Sequence, residues 1–131
     1  MVSERSKTPI KKILIVDEER FCRVCTALLG LVGIEPARIV CHTRFDSDHS
    51  LEDYELVITS FPYDSCLLER LQVQDVPAMV FSDCLSGELL DNLKKSANIG
   101  CMIKPIDFER FKELLGKLLQ SVNSLGGCQI V

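Results

Sequence analysis

Short uninterrupted apolar runs punctuate the chain, and the stretches between them place apolar residues at every third or fourth position. A continuous apolar run is typical of a strand that is covered on both faces, as in a parallel sheet. Spacing of three to four residues is typical of a helix with one apolar face. The runs predict strands at residues 12–16, 38–41, 55–59, 78–81 and 101–103.

The stretches between these runs predict the helices. One apolar stripe begins at Phe21 and ends before Gly33, a residue that suits a helix C-terminus. Shorter helices are predicted at 65–73 and around 89–93, and Asp107 precedes a last helix with a stripe of phenylalanines and leucines. The polar stretch 43–53 is only weakly helical. Strands that alternate with helices predict a parallel sheet with helices on both faces.

Composition narrows the class of protein. The chain has 131 residues, 47% hydrophobic and 26% charged, which suits one folded domain. We expect a flexible segment at 1–10, the domain at 11–120 and a tail at 121–131. A net charge of -4 gives no electrostatic reason to expect nucleic acid or a membrane surface as partner. No apolar run reaches the roughly 20 residues of a membrane span.

The chain has seven cysteines, an odd number, and its polar start lacks an apolar leader, so we expect a cytoplasmic protein with reduced thiols. Cys22 and Cys25 form a C-x-x-C pair within the first helix. Two glutamates precede the pair and would raise the thiol pKa values, which favours core packing over a redox dithiol. A zinc site needs about four ligands, and no second pair has the spacing. His42 and His49 are interpreted as rim residues.

Polar residues follow the predicted strands at the ends where a parallel sheet of this type carries its working site. Asp17 and Glu18 follow the first strand, Ser60 the third, Ser82 the fourth and Lys104 the fifth. Carboxylates suit Mg²⁺, and a hydroxyl with a lysine suits a phosphoryl group. The simpler interpretation of the acids alone is that they stabilise the N-terminus of the next helix.

The residues 13–19, Ser82 and the Lys-Pro-Ile at 104–106 closely resemble the receiver domains of two-component response regulators. The resemblance covers roughly 11–120. It implies a flavodoxin-like, CheY-like fold with a five-stranded parallel sheet in the order 2-1-3-4-5 and helices on both faces. It also implies that Asp17 and Glu18 match an acid pair that holds Mg²⁺. Ser82 and Lys104 match the hydroxyl and lysine that contact a phosphoryl group.

The chain departs from the pattern of that family at several positions. Ser60 stands where the phosphate-accepting aspartate is expected, and a serine cannot form an acyl phosphate. Cys101 stands at the aromatic switch position, Asp83 replaces a small residue, and the loop 61–65 is short. The helix expected at 43–53 is shorter than the second helix of that family. Loss of one anionic ligand leaves Asp17 and Glu18 as a weak or lost Mg²⁺ site, so no cofactor is expected.

The resemblance and the departures together predict a stand-alone pseudo-receiver, not an enzyme, that binds a signalling kinase or an output protein without phosphorylation. The region 85–119 is the predicted docking surface, and a homodimer is left open. Two alternatives remain: a phospho-receiver with Asp64 as displaced acceptor, and a thiol redox protein that uses Cys22 and Cys25. We also expect Lys104 to form a salt bridge to Asp17 or Asp83 in place of the phosphate contact.

Overall fold

The computed structural model describes residues 11–46, 48, 50–61, 63–83, 87, 91 and 98–120. The predicted N-terminal segment 1–10, the tail 121–131 and His49 lie outside these residues, as do the predicted helix around 89–93 except for residue 91 and much of the predicted docking region 85–119. The division into segment, domain and tail therefore stays a prediction.

The described residues form a five-stranded sheet in the order β2-β1-β3-β4-β5, with every neighbouring pair parallel. The strands are β1 (Lys12–Val16), β2 (Ile39–His42), β3 (Tyr54–Ser60), β4 (Ala78–Ser82) and β5 (Ile99–Ile103). The predicted strand order is confirmed. The central strands β1, β3 and β4 are buried over most of their length, as their continuous apolar runs require.

Three helices are described: α1 (Glu19–Leu31), α2 (Ser65–Val73) and α3 (Phe108–Gln120), and a short 3₁₀ turn at Pro36–Arg38 precedes β2. One apolar cluster joins one face of the sheet to α1 and α3, and a second joins the other face to α2. Helices therefore cover both faces, as predicted. Among the described residues of 43–53 there is no helix, and Phe45 and Leu51 instead pack into the second cluster.

Two glycines meet specific geometric demands. Gly33 adopts a φ of 95°, a conformation that residues with an L side chain rarely adopt. It follows the C-terminus of α1 and lets the chain turn away from the helix. Gly100 lies in β5 directly beneath α3, where a Cβ atom would lie 2.6 Å from Leu114 Cδ1. The absence of a side chain at Gly100 lets strand and helix approach closely. In the described part of the chain, no helix combines the length and the apolarity that crossing a membrane requires.

Candidate functional site

The carboxyl ends of the strands form one continuous edge, and the predicted site residues lie along it. The Asp17 amide donates a 3.1 Å hydrogen bond to His42 O, so the backbone pairing of β1 with β2 continues one residue beyond the end of β1. On the other side, the Lys104 amide donates to Ser82 O at 2.8 Å. Ser60 is paired in register with Phe81, next to Ser82. The edge therefore runs from β2 through β1, β3 and β4 to β5.

Asp17 is the buried acid of this edge. Its side chain is 2% exposed, and Oδ1 accepts a 2.9 Å hydrogen bond from the Glu18 amide. Oδ2 is buried and has no hydrogen-bond partner among the described residues. A buried carboxylate oxygen without a partner carries a desolvation cost, which is typical of functional positions.

The hydroxyls at the end of β3 differ in what they contact. Thr59 Oγ1 donates a 2.7 Å hydrogen bond to Val16 O and so ties the ends of β3 and β1 together. Ser60 is 6% exposed, and within the described residues its Oγ has no partner. No carboxylate in the described chain is therefore placed to take a proton from Ser60 in this geometry, and a serine without such a base is a poor nucleophile.

The donors at this edge do not fit a Mg²⁺ site well. Asp17 contributes one buried carboxylate, Glu18 is exposed, and Ser60 supplies a neutral oxygen where a third anion is expected. Within the described residues, no group of three Asp, Glu, His or Cys side chains is close enough to hold a metal ion. A hard cation binds most strongly where several anionic oxygens converge. Weak or absent Mg²⁺ binding stays a prediction.

Lys104 makes a contact that the sequence did not predict. Its Nζ lies 4.7 Å from the centroid of the Phe21 ring, a cation–π geometry. Among the described residues, the salt bridges join Arg23 to Glu19, Arg38 to Glu55 and Lys112 to Glu109, and none involves Lys104. The predicted salt bridge from Lys104 to Asp17 or Asp83 is wrong. The aromatic ring of Phe21 stabilises the half-buried ammonium instead of a carboxylate.

Phe21 itself belongs to a row of aromatic rings. It meets Phe81 edge to face at a centroid distance of 5.1 Å, and Phe81 stacks on Phe111 at 6.4 Å. The row therefore runs from Lys104 through α1 and β4 to α3. Sequence reasoning assigned Phe21 to the core stripe alone. The relevant signal was its position one turn after the acids, at the start of α1.

Asp64, the displaced-acceptor candidate, has a structural role. It is the N-cap of α2, where Oδ1 accepts from the Leu67 amide at 3.1 Å. Its second oxygen, Oδ2, accepts from the Phe45 amide at 2.8 Å and so fastens the loop before β3. Both carboxylate oxygens are hydrogen-bonded to backbone, which opposes their use as a nucleophile.

Tyr63 was missed by sequence reasoning and lies at the same edge. Its hydroxyl donates a 2.6 Å hydrogen bond to Thr43 O, just beyond β2, and its amide donates to Ser60 O at 3.0 Å. Burial raises the pKa of Tyr63, and the negative charge of Asp17 raises it further. Tyr63 thus links the end of β3 to the end of β2, across the strand that carries Asp17.

The cysteines of the described chain are mostly core residues. Cys101 is 4% exposed in the second apolar cluster, and burial raises the pKa of its thiol. Cys22 and Cys25 belong to the first cluster, so the core-packing interpretation is confirmed. Burial raises the pKa of Cys22 to about 11 and that of Cys25 further still, which opposes a redox dithiol of the two.

A groove of about 560 Å³ lies at the opposite edge of the sheet, where β1, β3, β4 and β5 begin. Its lining includes Lys11, Glu55, Asp75 and Asn98. Glu55 is paired with Arg38, and Asp75 accepts a hydrogen bond from Asn98. The groove shares no residue with the edge that carries Asp17.

Solved structures of receiver domains share this fold. A CheY-like response regulator receiver domain protein from Methanospirillum hungatei JF-1 is 18% identical over 90% of this chain and all of its own, with a TM-score of 0.67. A two-component response regulator from Clostridium difficile is 17% identical over 88% of this chain and 100% of that one, with a TM-score of 0.64. The receiver domain of NtrX from Brucella abortus is 21% identical over 84% and 99%, with a TM-score of 0.61.

No protein-family model matches the chain, and no curated protein matches it in sequence. The chain therefore has the fold of the response regulator receiver domains, CheY-like and flavodoxin-like, at low sequence identity to solved members of that fold class.

Proposed function

We propose that the chain is a pseudo-receiver: a cytoplasmic signalling domain of the two-component or phosphorelay type that binds a protein partner without being phosphorylated. The observation that carries this proposal is the end of β3. Ser60 stands there with a hydroxyl group in place of a carboxylate. The hydroxyl is buried, and among the described residues no base forms a hydrogen bond to it. A phosphoryl group therefore has no acceptor of the ordinary kind.

The nearest replacement acceptor is already engaged. The two carboxylate oxygens of Asp64 accept hydrogen bonds from the amides of Leu67 and Phe45, so an attack on phosphorus would require these contacts to break. The lysine of the site is likewise engaged with Phe21. Two further groups of the edge, Asp17 and Ser82, are buried. This arrangement supports a domain with one fixed state.

Partner binding would use the part of the domain that follows β4. Ile103 is an apolar residue 48% exposed at the end of β5. The outer face of α3 is charged, with Glu109, Arg110, Lys112 and Glu113 exposed. In protein-protein contacts an apolar centre is commonly surrounded by polar and charged residues, and these exposed side chains offer both kinds of surface. The partner proposed is a signalling kinase or an output protein.

The test treats the purified protein with a small acyl phosphate and Mg²⁺ and follows its intact mass. We expect no added phosphoryl group. The matched variant Ser60→Asp supplies the missing carboxylate and is expected to gain one, because Ser82 and Lys104 keep their places on the edge. Phosphorylation of the unmodified protein on any aspartate, lost in Asp64→Asn, would contradict the proposal and favour the displaced acceptor.

A further inference from the structure

Three cysteines lie between α1 and the edge strand β2, beside the candidate site. Cys22 and Cys25 are on α1, and Cys41 is on β2. The first two are 5% and 0% exposed, whereas Cys41 is exposed. An oxidant in solution therefore reaches the cluster only at Cys41.

The backbone directs Cys41 toward α1. Cys41 is paired in register with Ile15, which belongs to the apolar cluster beneath α1. Neighbouring residues on paired strands point to the same face of the sheet. The Oγ1 atom of Thr26 on α1 lies 3.5 Å from Cys41 Sγ, so the helix touches this thiol directly.

Cys22 is the partner that the helix brings to Cys41. Cys22 precedes Thr26 by one helical turn, so the two side chains share one face of α1. The sulfur of Cys41 also interacts with that of Cys22: after burial, the nearby Cys41 is the next cause that raises the pKa of Cys22. Cys25 is fully buried, so an oxidant in solution does not reach its thiol first.

We propose that Cys22 and Cys41 form a reversible disulfide when the protein meets a peroxide. The Cys41 sulfur attacks one oxygen of hydrogen peroxide, the O–O bond breaks, water leaves, and Cys41 becomes a sulfenic acid. The Cys22 sulfur then attacks the Cys41 sulfur and the S–O bond breaks. The departing hydroxide takes the Cys22 proton and leaves as water. Two thiols lose two electrons and two protons, and the peroxide is reduced to two waters.

The cross-link would change the edge that carries Asp17. In the reduced protein the Cys22 thiol donates to Asp17 O at 3.4 Å. A disulfide has no S–H group, so this contact with the backbone of the buried acid is lost while α1 becomes fastened to β2. The disulfide also closes the chain between Cys22 and Cys41, which restricts the unfolded state.

The test uses the full chain, treated with hydrogen peroxide, alkylated and digested for mass spectrometry. We expect a peptide pair joined through Cys22 and Cys41 that separates on reduction, and a thermal midpoint higher in the oxidised than in the reduced protein. Cys41→Ser abolishes the cross-link and the shift. Cys22→Ser leaves Cys41 as a sulfenic acid that a dimedone probe captures. Cys66→Ser, which removes another exposed cysteine, keeps both.

Two results would overturn the proposal, and both are read on the unmodified protein, so they do not depend on how a variant folds. In one, Cys41 is oxidised to sulfenic or sulfinic acid while Cys22 is still alkylated as a free thiol. In the other, the cross-link that forms joins Cys22 to Cys25, or joins two chains through Cys66.

Discussion

The ammonium of Lys104 lies over the ring of Phe21, 4.7 Å from its centroid, and not beside Asp17. Lys104 directly follows β5 and Phe21 lies in the first turn of α1, where its ring also packs against Phe81 of the neighbouring strand β4. Among the described residues, Asp17 therefore has no salt bridge to Lys104.

A double-mutant cycle with Lys104→Met and Phe21→Leu should give a coupling energy of about 0.5–2 kcal/mol, the range for a cation–π pair that is partly removed from water. The measurement is urea unfolding of the four proteins. The matched control is the pair Lys112 and Phe108 on α3, where the ammonium lies 5.2 Å from the ring centroid and Lys112 is exposed. The coupling energy of this pair should be smaller. Equal coupling in the two pairs, or none at Lys104, would contradict the assigned role of Phe21.

Asp64→Ala should lower the free energy of unfolding by about 1–3 kcal/mol, because the variant loses an N-cap and leaves the Phe45 amide without its acceptor. Asp64→Asn keeps one acceptor oxygen and should lose less. The check is denaturant unfolding of both variants. An unchanged stability in Asp64→Ala would mean that the carboxylate is not needed for the fold and would revive its case as an acceptor.

Magnesium should not bind measurably at around millimolar concentration, because among the described residues only Asp17 offers a buried carboxylate at the edge. Isothermal titration of the protein with MgCl₂ tests this, and Ser60→Asp serves as the positive control with a third anionic ligand. A saturable signal from the unmodified protein that disappears in Asp17→Asn would show that the remaining donors suffice.

Stability should fall at alkaline pH. The pKa of the Cys22 thiol is raised from 9.0 to about 11 in the folded protein, chiefly by burial. The unfolded chain therefore loses this proton first, so the stabilisation is fully present below the unfolded pKa and is lost as pH rises from about 9 to about 11. Urea unfolding across this range should show the decline. Cys22→Ala should weaken it, whereas Cys66→Ala should not.

Gly100→Ala should destabilise the protein by about 1–3 kcal/mol, because the added Cβ would meet Leu114 Cδ1 at 2.6 Å. The double variant Gly100→Ala with Leu114→Ala should lose less than the sum of the two single changes, since the second removes the atoms that clash. Thermal unfolding of the three variants measures this. Strict additivity would mean that β5 and α3 do not constrain each other.

The sheet could be predicted because its information is local. Each central strand is an apolar run covered on both faces, and the strand order follows from the alternation with helices together with the resemblance carried by the acids and the Lys-Pro motif. The positions of Asp17, Ser60 and Lys104 at one edge followed from the same pattern.

The side-chain contacts at the edge could not be predicted, because each side chain has several possible partners there and only the three-dimensional structure shows which one it contacts. The sequence offers Lys104 both carboxylates and an aromatic ring at the same edge of the sheet. The helical spacing of Phe21 predicts only that it packs in the core, so the ring is not an evident partner for the lysine. The sequence gives no sign that Asp64 is hydrogen-bonded. In the structure one of its carboxylate oxygens accepts from an amide of α2 and the other from an amide of the loop before β3. Tyr63 has no motif at all, and only the tight turn after Ser60 places it against Thr43.

The row of rings through Phe21, Phe81 and Phe111 connects Lys104, at the carboxyl edge of the sheet, to the helix α3. Because a protein core is close-packed, displacement of one ring in this row strains the rings that it contacts. A partner seated on α3 that displaces Phe111 would therefore change the free energy with which Lys104 holds to Phe21. By thermodynamic reciprocity, an anion that draws Lys104 away would change the affinity of that partner by the same factor.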